Sequence, residues 1–303
     1  MRVLNPREDV ERLEGVTEQT DMLGKPASPG RLALRRFRGR KSGMIGLGIV
    51  TALVLMAIFA PILAPYGPNE VLIGKEDVSP RDPPCIHLLG CPEEQPQHVM
   101  GTDGNVRDEF SRVIYGARVS LTLGFFTVTI ALLVGSTLGA IAGFTGGWLD
   151  NVIMRIMDVV LGFPSLLLAI AIVAVLGPGL RNALIAIAIV TIPAYARVMR
   201  AQVLSIKESD FVSASRALGA APRQLLIRRV VPNALTPLVV LATLGVATAI
   251  LDAAGLSVLG LGAQPPTAEW GSMLASERNN LVTAPHLVFF PGIAIMITVL
   301  GFN

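Results

Sequence analysis

The sequence predicts an all-α polytopic membrane protein with about six transmembrane helices, and three observations carry that prediction. Charged residues make up 16% of the 303 positions against 52% hydrophobic ones, where a soluble chain carries about a quarter charged. The charges are segregated: none lies between Gly43 and Asn69, none between Val119 and Leu149, and only Asp252 between Val230 and Ala268. Apolar stretches of ~18 residues or more span a hydrocarbon core of about 30 Å. Lipid offers backbone groups no partners, so a helix is the default form of each stretch.

The elements follow in order. Residues 1–42 read as a polar cytoplasmic tail, with no apolar segment of a cleavable signal. The first span is 43–65. Residues 66–118 form an extracytoplasmic loop ending in an interfacial amphipathic helix, which carries Arg107, Arg112 and Arg118 and sets Tyr115 at headgroup depth. A five-span core, 119–303, follows, with spans at 119–143, 156–177, 181–199, 230–262 and 286–303 and a cytoplasmic loop at 200–230. The fifth is too long for one straight crossing, and Pro232 and Pro237 are expected to break its entry. No basic tail follows the sixth, so the native chain is expected to run on past Asn303.

Lys and Arg favour the cytoplasmic side. Fourteen lie on one side: Arg31, Arg35, Arg36, Arg38, Arg40 and Lys41, then Arg155, Arg197, Arg200, Lys207, Arg216, Arg223, Arg228 and Arg229. Seven lie on the other: Lys75, Arg81, Arg107, Arg112, Arg118, Arg181 and Arg278. The N-terminus is therefore expected in the cytoplasm of a multi-pass protein of the cell membrane. The net charge of +3 forms no basic stripe with interleaved aromatics, which argues against a nucleic-acid partner.

One stretch interrupts the apolar pattern, "FVSASRALGAAP" at 211–222. Ser209 and Asp210 suit a helix N-terminus. Phe211, Ala214, Ala217 and Leu218 share one helical face. Gly219 suits the left-handed residue that ends a helix, and Pro222 suits the first turn of the next. That second helix, about 222–231, carries Arg223, Arg228 and Arg229 and is expected to end at Pro232. The first presents small residues, Ala214, Ser215, Ala217 and Ala220, that let another surface approach. A plain connecting loop is the alternative.

Other features leave alternatives open. Cys85 and Cys91, the only cysteines, could form a disulfide, stay as thiols, or join His87 and His98 around a metal. Gly135, Gly139, Gly143 and Gly147 recur every fourth residue and make a flat groove, for a partner subunit or for packing within the chain. Asp252 sits inside span five, facing the translocation pathway or subunit interface, or else hydrogen-bonded at an unwound turn near Gly255. Asp158 and Arg155 are spaced for a helix-surface ion pair. Trp270 in "QPPTAEWGSML" suits the membrane interface of an outer loop. No phosphate-binding G-x-x-x-x-G-K-[ST] loop occurs, "RGRKSG" at 38–43 lacking the glycine before lysine, and no nucleophile–base pair lies inside a span.

Ser213-Ala214-Ser215, three residues, Gly219, and Pro232 thirteen residues later resemble the EAA loop of ABC-importer permeases, with the core "RALGA" intact and Ser213 where glutamate is usual. "MGTDGNVRDEFSRVIYGARVSL" (100–121), "DNVIMRIMDVVLGFPSLLLAI" (150–170), "LGLGAQPPTAEWGSML" (259–274) and "FAPILAPYGP" (59–68) are similar to the dipeptide/oligopeptide branch, with Val106 replacing a usual glycine. The resemblance implies a type I importer permease fold. It implies that Phe211, Ser213, Ala214, Ser215, Arg216, Ala217, Leu218, Gly219 and Ala220 form a coupling helix for a cytoplasmic ATPase. It further implies a second homologous permease, two ABC ATPases using ATP and Mg²⁺, and an extracytoplasmic solute-binding protein docking on the outer face. No cofactor is expected in this chain. Alternating access would carry a dipeptide or oligopeptide, or alternatively a nickel chelate, glutathione or oligosaccharide. A stand-alone secondary transporter would need an ion pathway and commonly internal repeats, and no convincing repeat is present.

Overall fold

A computed structural model describes residues 40–303. The basic positions Arg31, Arg35, Arg36 and Arg38, and nearly all of the 1–42 tail, lie outside the described residues. The described part is helical. Helix α1 is Lys41–Ile58 and α2 is Ala60–Leu63. The break at Phe59 has a local cause: Pro61 has no N–H to give the Ala57 carbonyl, and the Ile62 amide turns to Phe59 instead. Arg118 supplies the missing donors, Nε to Ala57 O at 2.7 Å and Nη2 to Ile58 O at 3.2 Å.

Helix α3 runs without interruption over Glu109–Thr145, 37 residues. At a rise of ~1.5 Å per residue it is about 55 Å long, longer than the ~30 Å hydrocarbon core, so part of it must stand outside a bilayer unless it tilts strongly. The expected interfacial helix and second span are thus one helix. Arg107 lies before it, Arg112 is buried on it, and Arg118 is spent on the end of α1. Arg107 and Arg112 are not set outward as the sequence suggested, because buried partners are available to both, whereas Arg118 stays exposed while bonded to the end of α1.

Helices α4, Gly147–Leu161, and α5, Ser165–Leu176, occupy the place expected of a straight third span but are bent by 92°. Gly162-Phe163-Pro164 causes the bend, since proline can neither donate nor follow a helical residue comfortably. Helix α6, Leu180–Lys207, extends past the predicted end at 199. Helix α7 is Asp210–Ala217, and α8, Pro222–Leu225, passes through a wide π turn at Leu226–Val230 into α9, Val231–Val258. No break occurs at Pro232 or Pro237. The Val231 amide reaches back to Leu226 O, and this wider turn accommodates the proline behind it without ending the helix. Helix α10 is Trp270–Glu277 and α11 is His286–Phe302. Helices α1, α3, α6 and the continuous 222–258 helix are each long and apolar enough to cross a membrane, α4 and α5 qualify together, and α11 is a shorter apolar helix.

The glycine stripe decides how the core closes. A Cβ on Gly135 would stand 2.6 Å from Ile192 O, one on Gly143 2.9 Å from Arg200 O, and one on Gly139 would collide with Ala196 O. The stripe is therefore filled by α6 of the same chain, and packing within the subunit replaces the partner-interface reading. Backbones approach this closely only where no side chain intervenes. Gly147 drops out of the stripe, because α3 ends at Thr145 and Gly146 and Gly147 turn with φ of 68° and 61°.

Candidate functional site

The end of the molecule carrying α7 is built around one anchor. Val212 is fully buried and packs with Met199, Val203, Leu225, Val230 and Leu238 from the helices around it. Everything else on α7 that the sequence singled out faces outward or nearly so: Phe211, Ser213, Ala214, Arg216, Ala217, Leu218 and Gly219 are exposed, Ser215 and Ala220 half-buried. Leu218 is 89% exposed. The Ser209 N-cap differs from expectation: its hydroxyl donates to Ile206 O at 2.5 Å, and leaves the first amides of α7 to the charge of Asp210.

The stop is a Schellman turn. Gly219 has φ of +85°, its amide donates to Arg216 O at 3.0 Å, and the Ala220 amide donates to Ser215 O at 3.1 Å. Pro222 then opens α8 at its first turn. Arg223, Arg228 and Arg229 are exposed beside it. The result is a short helix, held by one valine and closed by one glycine, with a small-residue face and a projecting leucine.

Charge pairs tie α6 to α4 and α3 near this end. Arg200 holds Asp150 through Nε and Nη2, both at 2.6 Å, and Lys207 Nζ donates to Gly143 O at 3.1 Å. Asp158 pairs with Arg197 at 2.6 Å, not with Arg155. The bend between α4 and α5 leaves α4 lying against α6, so a residue 39 positions away is nearer than one three away.

The opposite end, carrying the 66–108 loop, is a buried polar network. Asp103 accepts from Arg107 Nη2 at 2.6 Å and from the amides of Asn105 and Arg107, with Arg112 Nε at 3.4 Å. Arg112 also donates to Pro68 O at 2.6 Å. Asp108 caps α3 through the Ser111 amide and hydroxyl and accepts from His98 Nδ1 at 2.8 Å. His98 Nε2 meets Glu76, whose other oxygen accepts from Tyr66. Hydrogen bonding to Asp108 raises the pKa of His98 above the ordinary histidine value, although burial opposes it. Val106, at the glycine position of the family pattern, has φ of +56°, a conformation costly for a β-branched residue. Leu72 N–H bonds its carbonyl at 2.9 Å.

Trp270 does not face outward toward a membrane interface. It is fully buried, donates from Nε1 to Val113 O at 2.9 Å, and rests on Gly116 of α3. Cys85 and Cys91 are joined as a disulfide with Cα atoms 5.4 Å apart. His98 turns to Glu76 and Asp108 and His87 to Gln95 O, so neither histidine gathers with the sulfurs. Asp252 is half-buried on α9 and makes no hydrogen bond or ion pair among the described residues. The helix continues past Gly255 to Val258, so the acid shapes no unwound turn.

Sequence reasoning missed Val212, Asp150 with Arg200, and the role of Arg118. Only the last left a local signal, a proline four residues after a carbonyl that then needs a donor.

Comparison with known proteins agrees with this architecture. Residues 135–303 match the family model "Binding-protein-dependent transport system inner membrane component". Residues 28–84 match "N-terminal TM domain of oligopeptide transport permease C". The chain is 48% identical to the dipeptide transport system permease protein DppC of Alkalihalophilus pseudofirmus, covering 91% of this chain and 86% of that one. It is 46% identical to the di/tripeptide transport system permease protein DppC of Pseudomonas aeruginosa (91% and 88% covered). It is 44% identical to the glutathione transport system permease protein GsiD of Escherichia coli (89% and 84% covered). Among solved structures, the inward-facing MetNI methionine ABC transporter superposes with a TM-score of 0.51 at 21% identity, over 63% of this chain and 93% of that one, which establishes a shared fold. The chain belongs to the family of binding-protein-dependent transport system inner membrane components, as a multi-pass inner-membrane permease of an ABC importer.

Proposed function

We propose that this chain is one of two homologous membrane subunits of an importer of short peptides, with α7 as the lever gripped by one of two cytoplasmic ATPases. The observation that carries this reading is the exposed small-residue face and projecting Leu218 of a helix tethered by one buried valine. An apolar side chain held out of both lipid and protein core is a ready anchor for a partner's groove. The positive-inside bias supports a cytoplasmic N-terminus and puts α7 on the ATPase side. ATP and Mg²⁺ act in those ATPases; this chain carries no catalytic role and no cofactor of its own. An extracytoplasmic binding protein delivers the solute to the loop end, around 264–274.

Asp252 lines the translocation pathway in this reading. A half-buried carboxylate without a partner, inside a span, is retained where it meets water or a cationic group, and a peptide's amino terminus is such a group. Dipeptides or short oligopeptides are the solutes named for two of the relatives, and glutathione, itself a tripeptide, for a third.

The coupling role is tested by Ala217→Glu in the assembled importer. Ala217 is exposed and supports no packing. Uptake into vesicles, and ATP hydrolysis stimulated by loaded binding protein, should each fall by about tenfold or more, with the subunits still co-purifying. Normal uptake in an intact complex would remove α7 from the coupling path.

A further inference from the structure

A groove of about 450 Å³ opens on the surface of the membrane-spanning body toward the loop end. Val54, Ile58, Leu121, Phe125 and Phe126 line it, together with Val246 and Phe302. One charged side chain enters it, Arg118, and no acid lines it. The guanidinium is fixed in place by the two carbonyls that Pro61 leaves without donors, those of Ala57 and Ile58. These bonds use Nε and Nη2; Nη1 makes none among the described residues. From Arg118 to Phe126 the α3 backbone rises about 12 Å. The groove thus has a pinned cation at its mouth, where span one ends, and an apolar floor reaching inward for at least the length of half an acyl chain.

We propose that this groove binds one phospholipid of the adjoining leaflet, its phosphate on Arg118 and an acyl chain along Phe125 and Phe126. Arginine at headgroup depth pairs with phosphate through charge-assisted hydrogen bonds, and the apolar trough accepts only what lipid or an equally apolar surface supplies. The site accounts for an arginine on the side of the membrane where basic residues are sparse. It does not depend on which solute the importer carries.

The test uses the whole importer complex, stripped of lipid in detergent and examined by native mass spectrometry after addition of phosphatidylglycerol, diacylglycerol of the same chains, or inorganic phosphate. Phosphatidylglycerol should add one molecule per copy of this chain, with diacylglycerol and phosphate binding roughly tenfold more weakly, because each lacks one half of the recognised chemistry. Arg118→Gln should lower phosphatidylglycerol retention by about fivefold or more. That substitution also uncaps α1, so Thr122→Trp provides the second arm: it fills the trough from an exposed position and leaves Arg118 in place. The same loss is expected from it, with assembly unchanged. Equal retention in Thr122→Trp and the parent would overturn the proposal, as would diacylglycerol binding as well as phosphatidylglycerol. A photo-crosslinker at Phe125 should acquire a lipid mass; crosslinking to the neighbouring subunit would assign the groove to a protein interface instead.

Discussion

At the loop end, Asp103 is 5% exposed and holds Arg107 and Arg112, themselves 9% and 5% exposed. At the α7 end, Arg197 and Asp158 pair at 2.6 Å with 51% of each side chain in the open. The loop end also has a buried tryptophan, a capped helix start and a disulfide. The α7 end has a helix of eight residues resting on one valine. Buried charges cost several kcal/mol each to desolvate and persist only when their geometry is satisfied, so the loop end is rigid by construction. An exposed pair such as Arg197–Asp158 contributes about 0–1 kcal/mol, and near α7 the better-buried pair is Arg200 with Asp150, which ties α6 to α4 and does not touch α7. In the reading proposed above, the loop end would receive the solute and the α7 end would be driven by the ATPase.

Four substitutions probe that contrast, beginning with the greatest loss of stability. Asp103→Ala leaves two buried guanidinium groups without their shared carboxylate and should cost about 3–5 kcal/mol; thermal unfolding of the purified protein in detergent reads it, and an unchanged midpoint would mean that the network is not structural. Trp270→Phe keeps most of the packing but removes the donor to Val113 O, for about 1–3 kcal/mol by the same measurement.

The third probe is pH. His98 faces Asp108 and Glu76, with Tyr66 beside it and bonded to Glu76. Its pKa is raised in the folded state, so its contribution is fully present below the ordinary histidine value and is lost as pH rises through the higher folded one. The melting temperature should therefore decline as pH rises above the ordinary histidine value, and His98→Gln should flatten that decline. A slope identical in both proteins would place the pH dependence elsewhere. Last, Leu218→Asp should change stability by less than about 0.5 kcal/mol while abolishing ATP-driven uptake. A large fall in melting temperature would mean that the α7 end is a packed element and no open lever.

Much of this was legible beforehand wherever the cause is local. The apolar runs, the Gly219 stop and the Pro222 start each rest on a few neighbouring residues. The boundaries moved where a second influence entered: α3 absorbed the interfacial segment because Asp108 caps it ten residues earlier than the lipid requires, and the π turn carried the helix past Pro232. The candidate site was read correctly as a helix, a turn and a second helix, but its anchor Val212 was not singled out, since one valine in a polar stretch carries no periodic signal.

The sequence by itself determined which segments are apolar enough to enter lipid, where α7 stops, and that glycine recurs along one face of α3, because hydrophobic transfer and backbone conformational freedom act within a turn or two. Only the tertiary structure decided that α6 fills the glycine stripe, that Asp158 answers to Arg197, that Trp270 is buried and that Arg118 completes the end of α1. Each of those depends on a partner 39 or more residues away, and such a partner is chosen by how the helices pack.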